Sequence, residues 1–124
     1  MKNNVKYELP IFSSSLVQDP IIDFKDMNIK IELIGMDEED RQRKITIEFD
    51  SVLCNKHTSA KFTPKLYDSY DRIVELEDSE WLMELKNLNR KDFEYWNPKH
   101  YVMYLDEIGM FQFIARRYEV VEHE

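Results

Sequence analysis

Cys54 and His57 are the first residues in this chain whose types suggest chemistry, because a thiol beside an imidazole can make an activated nucleophile. Their spacing speaks against that role. Three residues apart on an extended chain, the two side chains point to opposite faces, and no oxyanion motif accompanies them. The expected state of Cys54 is a free thiol, buried or half-exposed. His57, His100 and His123 are scattered and lack the paired spacing of a zinc site. His100 is expected at a strand end, bonded to backbone. The run Asp37-Glu38-Glu39-Asp40 gathers four carboxylates, yet calcium loops alternate their oxygen ligands and need a glycine for the sharp turn. Neither feature is present. Asp106 and Glu107 suit a turn better than an acid–base pair. The sequence therefore assigns no catalytic residue, no metal ligand and no cofactor site.

Two candidates for binding remain. The first is the acidic run itself, Asp37, Glu38, Glu39 and Asp40, which reads either as a solvated loop or as a recognition loop for a cationic partner. The second is "KDFEYWNPKH", residues 91–100, where Phe93, Tyr95 and Trp96 stand beside Asn97-Pro98. Proline forbids a helix from continuing there, so the segment is expected to turn. Aromatic residues in a turn either cap the core or stand exposed. Tyr95 and Trp96 are the residue types that dominate binding hot spots.

Composition narrows the classes. A chain of 124 residues is one domain, 1–124, and long enough to bury a core without staples. Its 43% hydrophobic content argues against disorder. One cysteine rules out an internal disulfide framework and fits a reducing compartment. No apolar leader region and no run of about 18 apolar residues is seen, so a cytoplasmic location without membrane contact is expected. The net charge of −8 repels phosphate backbones and makes nucleic acid an unfavourable partner. The excess of acids is concentrated in residues 31–50 and 77–124, where a basic protein would feel it; solubility is the plainer explanation. Only two glycines occur, Gly35 and Gly109, so no glycine-rich phosphate loop can be built. Both are expected at positive φ.

Period-two alternation sets the fold. In "NIKIELIG" Ile29, Ile31 and Leu33 share a face, and in "KITIEFDSVL" Ile45, Ile47, Phe49 and Leu53 do the same. The charged connection between them makes an antiparallel pair. Residues 54–71 look extended or looped, and "RIVELE", residues 72–77, is another strand. The period then lengthens: Trp81, Leu82, Leu85 and Leu88 mark one helix over residues 79–90, capped by Asp78 or Ser79. In "KHYVMYLDEIGMFQFIARRY" two apolar runs flank "DEIG", a core hairpin turning at Gly109. The N-terminal segment, interrupted by Pro10 and Pro20, is expected to supply an edge strand or two. The expected class is α+β, mostly β: an antiparallel sandwich or partly open barrel of about six strands with one amphipathic helix.

"YDRIVELEDSEWLMELK" followed by "KHYVMYLDEIGMFQFIARRYEV" resembles the C-terminal halves of small acidic bacterial proteins of toxin-immunity type. The likeness spans residues 44–120 and is carried most by Asp78-Ser79-Glu80-Trp81-Leu82 and by His100-Tyr101 ahead of Gly109. It implies partner binding in the cytosol without catalysis. Such proteins have many unrelated folds, so the resemblance does not fix a partner. The expected function is a non-catalytic module that sequesters a basic protein, with Asp37–Asp40 steering it and Tyr95 and Trp96 supplying contact energy. The alternative is a small-molecule-binding β-module. A homo-oligomer is the third reading.

Overall fold

The alternating run from Asn28 forms β3 (Asn28–Met36), antiparallel to β4 (Gln42–Thr58), with Ile31 opposite Ile47 and Leu33 opposite Ile45. The structure, a computed structural model, describes residues 1–123. The other strands are β1 (Lys2–Glu8), β2 (Ile21–Lys25), β5 (Arg72–Glu77), β6 (Lys99–Leu105) and β7 (Gly109–His123). They make one seven-stranded sheet in the order β1-β5-β6-β7-β4-β3-β2, and every named pair is antiparallel. The N-terminal segment supplies both edges: β1 closes one side and β2 the other, with Pro10 and Pro20 outside the strands. The sheet has seven strands against about six expected, the N-terminal segment supplying two edge strands where one or two were expected.

One face of this sheet holds the main core. Ile31, Ile45, Ile47, Phe49, Met103 and Leu105 are fully buried there, and Phe49 stacks on Phe113 with ring centroids 4.0 Å apart. Full burial of one such aliphatic side chain is worth about 1.5–3 kcal/mol, so this face dominates stability. A smaller cluster, Val74, Leu76, Val102 and Met110, lies on the other face of β5, β6 and β7. That explains why the β6–β7 hairpin is apolar on both sides.

The inward pattern of β4 changes phase once. Ser51 sits at φ 56° and the register shifts between Val52 and Cys54, a bulge. Val52 thereby packs into the core in place of the expected Leu53, which stays half-exposed. Beyond the bulge β4 continues to Thr58, so the first part of the stretch expected to be extended or looped is extended, paired with β7.

The helical region also differs. α1 (Glu80–Leu88) is capped by Ser79, whose hydroxyl accepts from the Leu82 amide at 3.2 Å. Asn89 then caps a second helix, α2 (Arg90–Trp96), accepting from the Asp92 amide at 3.2 Å. The single helix over 79–90 is therefore two, and the expected turn at residues 91–96 is helical. The helix ends at Trp96, two residues before Pro98, with Asn97 in the left-handed conformation at φ 47°.

Glycine placement is half as expected. Gly109 has φ 119°, and a Cβ there would lie 2.0 Å from the Thr58 carbonyl oxygen. Gly35 lies in regular strand without positive φ. Its value is space, since a Cβ would press on Leu16 at 3.2 Å and Ile11 at 3.3 Å. The left-handed turn positions fall instead to Asp26, Asp40, Asp68, Asp71 and Asp78 among others. Aspartate tolerates that conformation better than most residues, so part of the acidic composition is turn chemistry.

Residues 9–17 connect the sheet's two edges. The Leu9 amide donates to the Asp71 carbonyl at 2.9 Å, and Phe12 and Val17 donate to Met36 and Ile34 on β3. Ser13 pins the middle: its amide donates to Asp71 Oδ2 at 3.2 Å and its hydroxyl accepts from the Asp106 amide at 2.8 Å.

Candidate functional site

The acidic run forms the β3–β4 connection, and half of its charge is consumed locally. Asp37 Oδ1 accepts from the amides of Glu39 and Arg41 at 2.9 Å each, while Arg41 and Arg43 lie 3.7 Å from its other oxygen. These bonds, the Arg41 amide's foremost, hold its carboxyl below the usual carboxylate range despite its burial. Glu39 pairs with Arg41 at 2.8 Å. Asp37 is thus a turn-building residue, and Glu38 and Asp40 carry the free negative charge of the loop.

Tyr95 and Trp96 end α2. Arg116, on β7, donates from Nε to the Trp96 carbonyl at 3.1 Å and from Nη2 to the Tyr95 carbonyl at 3.0 Å. Its guanidinium also lies 5.7 Å from the Tyr95 ring and 5.2 Å from the Trp96 ring, which meet edge-to-face. Trp96 is half-buried, whereas Tyr95 is 70% exposed. The helix end is clamped while one aromatic ring faces solvent. Asp92 and Glu94 are exposed on the same short helix, and Leu88 at the end of α1 is 81% exposed.

The two candidate regions do not converge. Asp37 reaches Arg43, which pairs with Glu122, while Tyr95 rests on Arg116. Those anchor points are six residues apart on β7, about 20 Å along a strand.

A third feature escaped the sequence reading. On the outer face of β4, β6 and β7, beside the start of α1, lies an open groove of about 850 Å³ lined by Lys56, Tyr67, Ser79, Trp81, His100 and Gln112. His100 is not bonded to backbone: Nδ1 lies 2.7 Å from Ser79 Oγ and Nε2 lies 2.8 Å from Gln112 Oε1. An amide oxygen only accepts, so Nε2 carries the proton, and Nδ1 accepts from the Ser79 hydroxyl. Burial holds His100 in its neutral form, lowering its pKa, and Lys56 adds to the effect. Trp81 meets the imidazole edge-on at 5.3 Å, and Lys56 Nζ lies 5.5 Å from the Trp81 ring centroid. The signal in the sequence was the pair of polar residues, His100 and Gln112, on the second face of an otherwise apolar hairpin.

Cys54 and His57 do lie on opposite faces. Cys54 is half-exposed and burial raises its thiol pKa, while His57 stacks on Phe111 at 4.6 Å and Nε2 bonds the Ile108 carbonyl at 2.9 Å. His123 is tied to Thr46 Oγ1 at 2.9 Å. Among the described residues, no three His, Cys, Asp or Glu side chains gather as metal ligands, and no helix is long and apolar enough to cross a membrane. No protein-family model, curated protein or solved structure matches this chain.

Proposed function

We propose that the protein is a non-catalytic binding module that holds a basic protein through the exposed end of α2, in the manner of an immunity or inhibitor protein in the cytoplasm. The observation that carries this reading is the Arg116 clamp, which fixes the backbone of Tyr95 while leaving its ring 70% exposed. A rigid exposed tyrosine loses little freedom on binding, which is what an anchor residue requires. Asp92 and Glu94 share the helix with Arg90 and Lys91, so the charge around Tyr95 is mixed, and the steering of a cationic partner rests on Glu38, Asp40 and the net charge of −8. The reading includes a partly open barrel as the shape of the sheet. Tyr7 on β1 donates to Glu122 on β7 at 2.7 Å, and Tyr118 donates to the Lys6 carbonyl at 3.3 Å, which fits a sheet curled over its own core. Side chains fill the inside of such a sheet, so a partner meets the outside.

Affinity capture from a lysate of the native host, at low and then high salt, tests the proposal. A single basic protein should bind the unaltered chain at low salt, leave at high salt, and fail to bind Tyr95→Ala of unchanged melting temperature. Equal retention by Tyr95→Ala, or no retained protein, would overturn it. The outer groove favours a second reading, a small ligand seated on Trp81 and Lys56. That reading predicts a rise in melting temperature with a metabolite and no protein partner.

A further inference from the structure

β2 is an open edge of a kind folded proteins rarely leave unguarded. All five of its residues are exposed, with Phe24 at 69%, and its pairing to β3 runs without a bulge. The two-residue turn Asp26-Met27 makes Lys25 and Asn28 the hydrogen-bonded pair beside it. Ile21, Asp23 and Lys25 therefore turn their amides toward β3, and Ile22 and Phe24 present theirs outward. The edge is held ready: the Val52 amide donates to the Met27 carbonyl at 2.7 Å and the Ser51 amide to Asn28 Oδ1 at 3.0 Å. The β4 bulge thus fixes the β2–β3 turn. Both edges carry charged residues, Lys2 and Lys6 on β1 and Asp23 and Lys25 on β2, but only the β1 edge is broken by a register shift, between Val5 and Tyr7.

We propose that β2 is a self-association surface, on which a second copy of this chain pairs antiparallel about a twofold axis at Phe24. The rows of side chains that run across the sheet identify that occupant. On the outer face Glu48, Lys30 and Asp23 stand opposite one another in register, alternating in sign and ending on an anion at the edge. A twofold axis at Phe24 sets Lys25 of the second copy against Asp23, and Asp23 of the second copy against Lys25, so both rows continue with the sign alternating. On the inner face Phe49, Ile29 and Phe24 are likewise in register, and Phe24 of the second copy extends that apolar row. An axis at Asp23 would instead oppose two aspartates. The contact is small, so the association is concentration-dependent.

Sedimentation equilibrium of the full chain over about 10 μM to 1 mM tests this, with amide exchange at Phe24 as a second readout. The mass should rise from 15.1 kDa toward twice that value as the Phe24 amide becomes protected. Asp23→Lys alone, or Lys25→Asp alone, opposes like charges at both ends of the pairing and should weaken association at least about tenfold. An equimolar mixture of the two single variants should restore it, as should the double variant Asp23→Lys/Lys25→Asp. A mass of 15.1 kDa at every concentration overturns the proposal. So does dimerisation that persists in both single variants, or a mixture that fails to recover. Both positions are exposed, and unchanged melting temperatures would show that the variants remain folded.

Discussion

At its β1 end the sheet is dressed on both faces; at its β2 end the outer face is bare. β5 and β6 carry the second apolar cluster and the His100–Ser79–Gln112 network outside and the main core inside. β1 is fastened through Tyr7 to Glu122, through Lys6 to Glu75 and Tyr118, and through Glu8 to Arg72. Toward the other end the outer face of β4, β3 and β2 is a charged lattice, with Lys44 beside Glu32 at 3.2 Å and Lys30 between Glu48 and Asp23. Neither edge strand has a buried residue, but Asn4 and Tyr7 of β1 are half-buried whereas all of β2 is exposed. The same backbone ladder thus ends at two edges, one fastened by side chains and one left open. The difference is made by what is packed over it, not by strand propensity.

The sharpest way to break this contrast uses two residues that face each other. Ile31 on β3 is fully buried, whereas its register partner Ile22 on β2 is 36% exposed. Ile31→Ala should cost about 3 kcal/mol in denaturant titration, and Ile22→Ala less than about 1 kcal/mol. Comparable losses would mean that β2 is as integrated as β3. Coverage of the outer face at the other end is tested by His100→Leu, which strands the Ser79 hydroxyl and the Gln112 oxygen and should cost about 2 kcal/mol. The same residue sets a pH dependence. Its folded pKa lies below its ordinary value of 6.5, so the unfolded chain takes up the proton first and stability declines as pH falls below 6.5. Melting temperatures of His100→Leu should lack that component of the decline.

Tyr7→Phe loosens the β1 seam by one hydrogen bond and should cost about 1 kcal/mol at neutral pH. Burial, and then the bond to Glu122, push the Tyr7 pKa upward from 10.0. Its contribution is therefore complete below pH 10 and is lost as pH rises through the folded value, so the phenylalanine variant should show a shallower alkaline decline. The last effect has the opposite sign. Asp71 fastens residues 9–17 with one buried carboxylate oxygen unpaired, and burial raises its pKa, with Asp106 adding to the rise. Asp71→Asn removes the charge and suits the φ of 55°, and should raise the melting temperature by a few degrees, about 1 kcal/mol. A fall instead would show that the charged form is needed to hold the crossing.

Much of this was legible in the chain. The β3–β4 pair, β5, the start of α1 and the β6–β7 hairpin follow from apolar period, a serine cap and one glycine, all local signals. The phase change at Ser51 was not legible, because a bulge is imposed by the long pairing of β4 with β7 and not by residues 50–53 themselves. α2 was hidden because its aromatics and the following proline also suit a turn, and the deciding contact comes from Arg116 on β7. The same distance hid the groove: Ser79 and His100 meet only when β6 lies beside the start of α1. Of the candidate residues, Tyr95 stands exposed as an anchor would, whereas Asp37 serves its own turn.

The strand order has a consequence for how the chain is made. Residues 21–58 contain all three strands of the β2–β3–β4 meander, but β4 waits for β7 at residues 109–123, and β1, synthesised first, waits for β5. At roughly 5–20 residues per second, the meander exists for some seconds with Ile45, Ile47 and Phe49 uncovered. During that interval both its flanks are open, and only the β4 flank is later sealed by the chain's own C-terminal hairpin. Both β1 and β4 thus pair with neighbours far along the chain, and because β7 is made after β5, the β4–β7 pairing is the last to become possible.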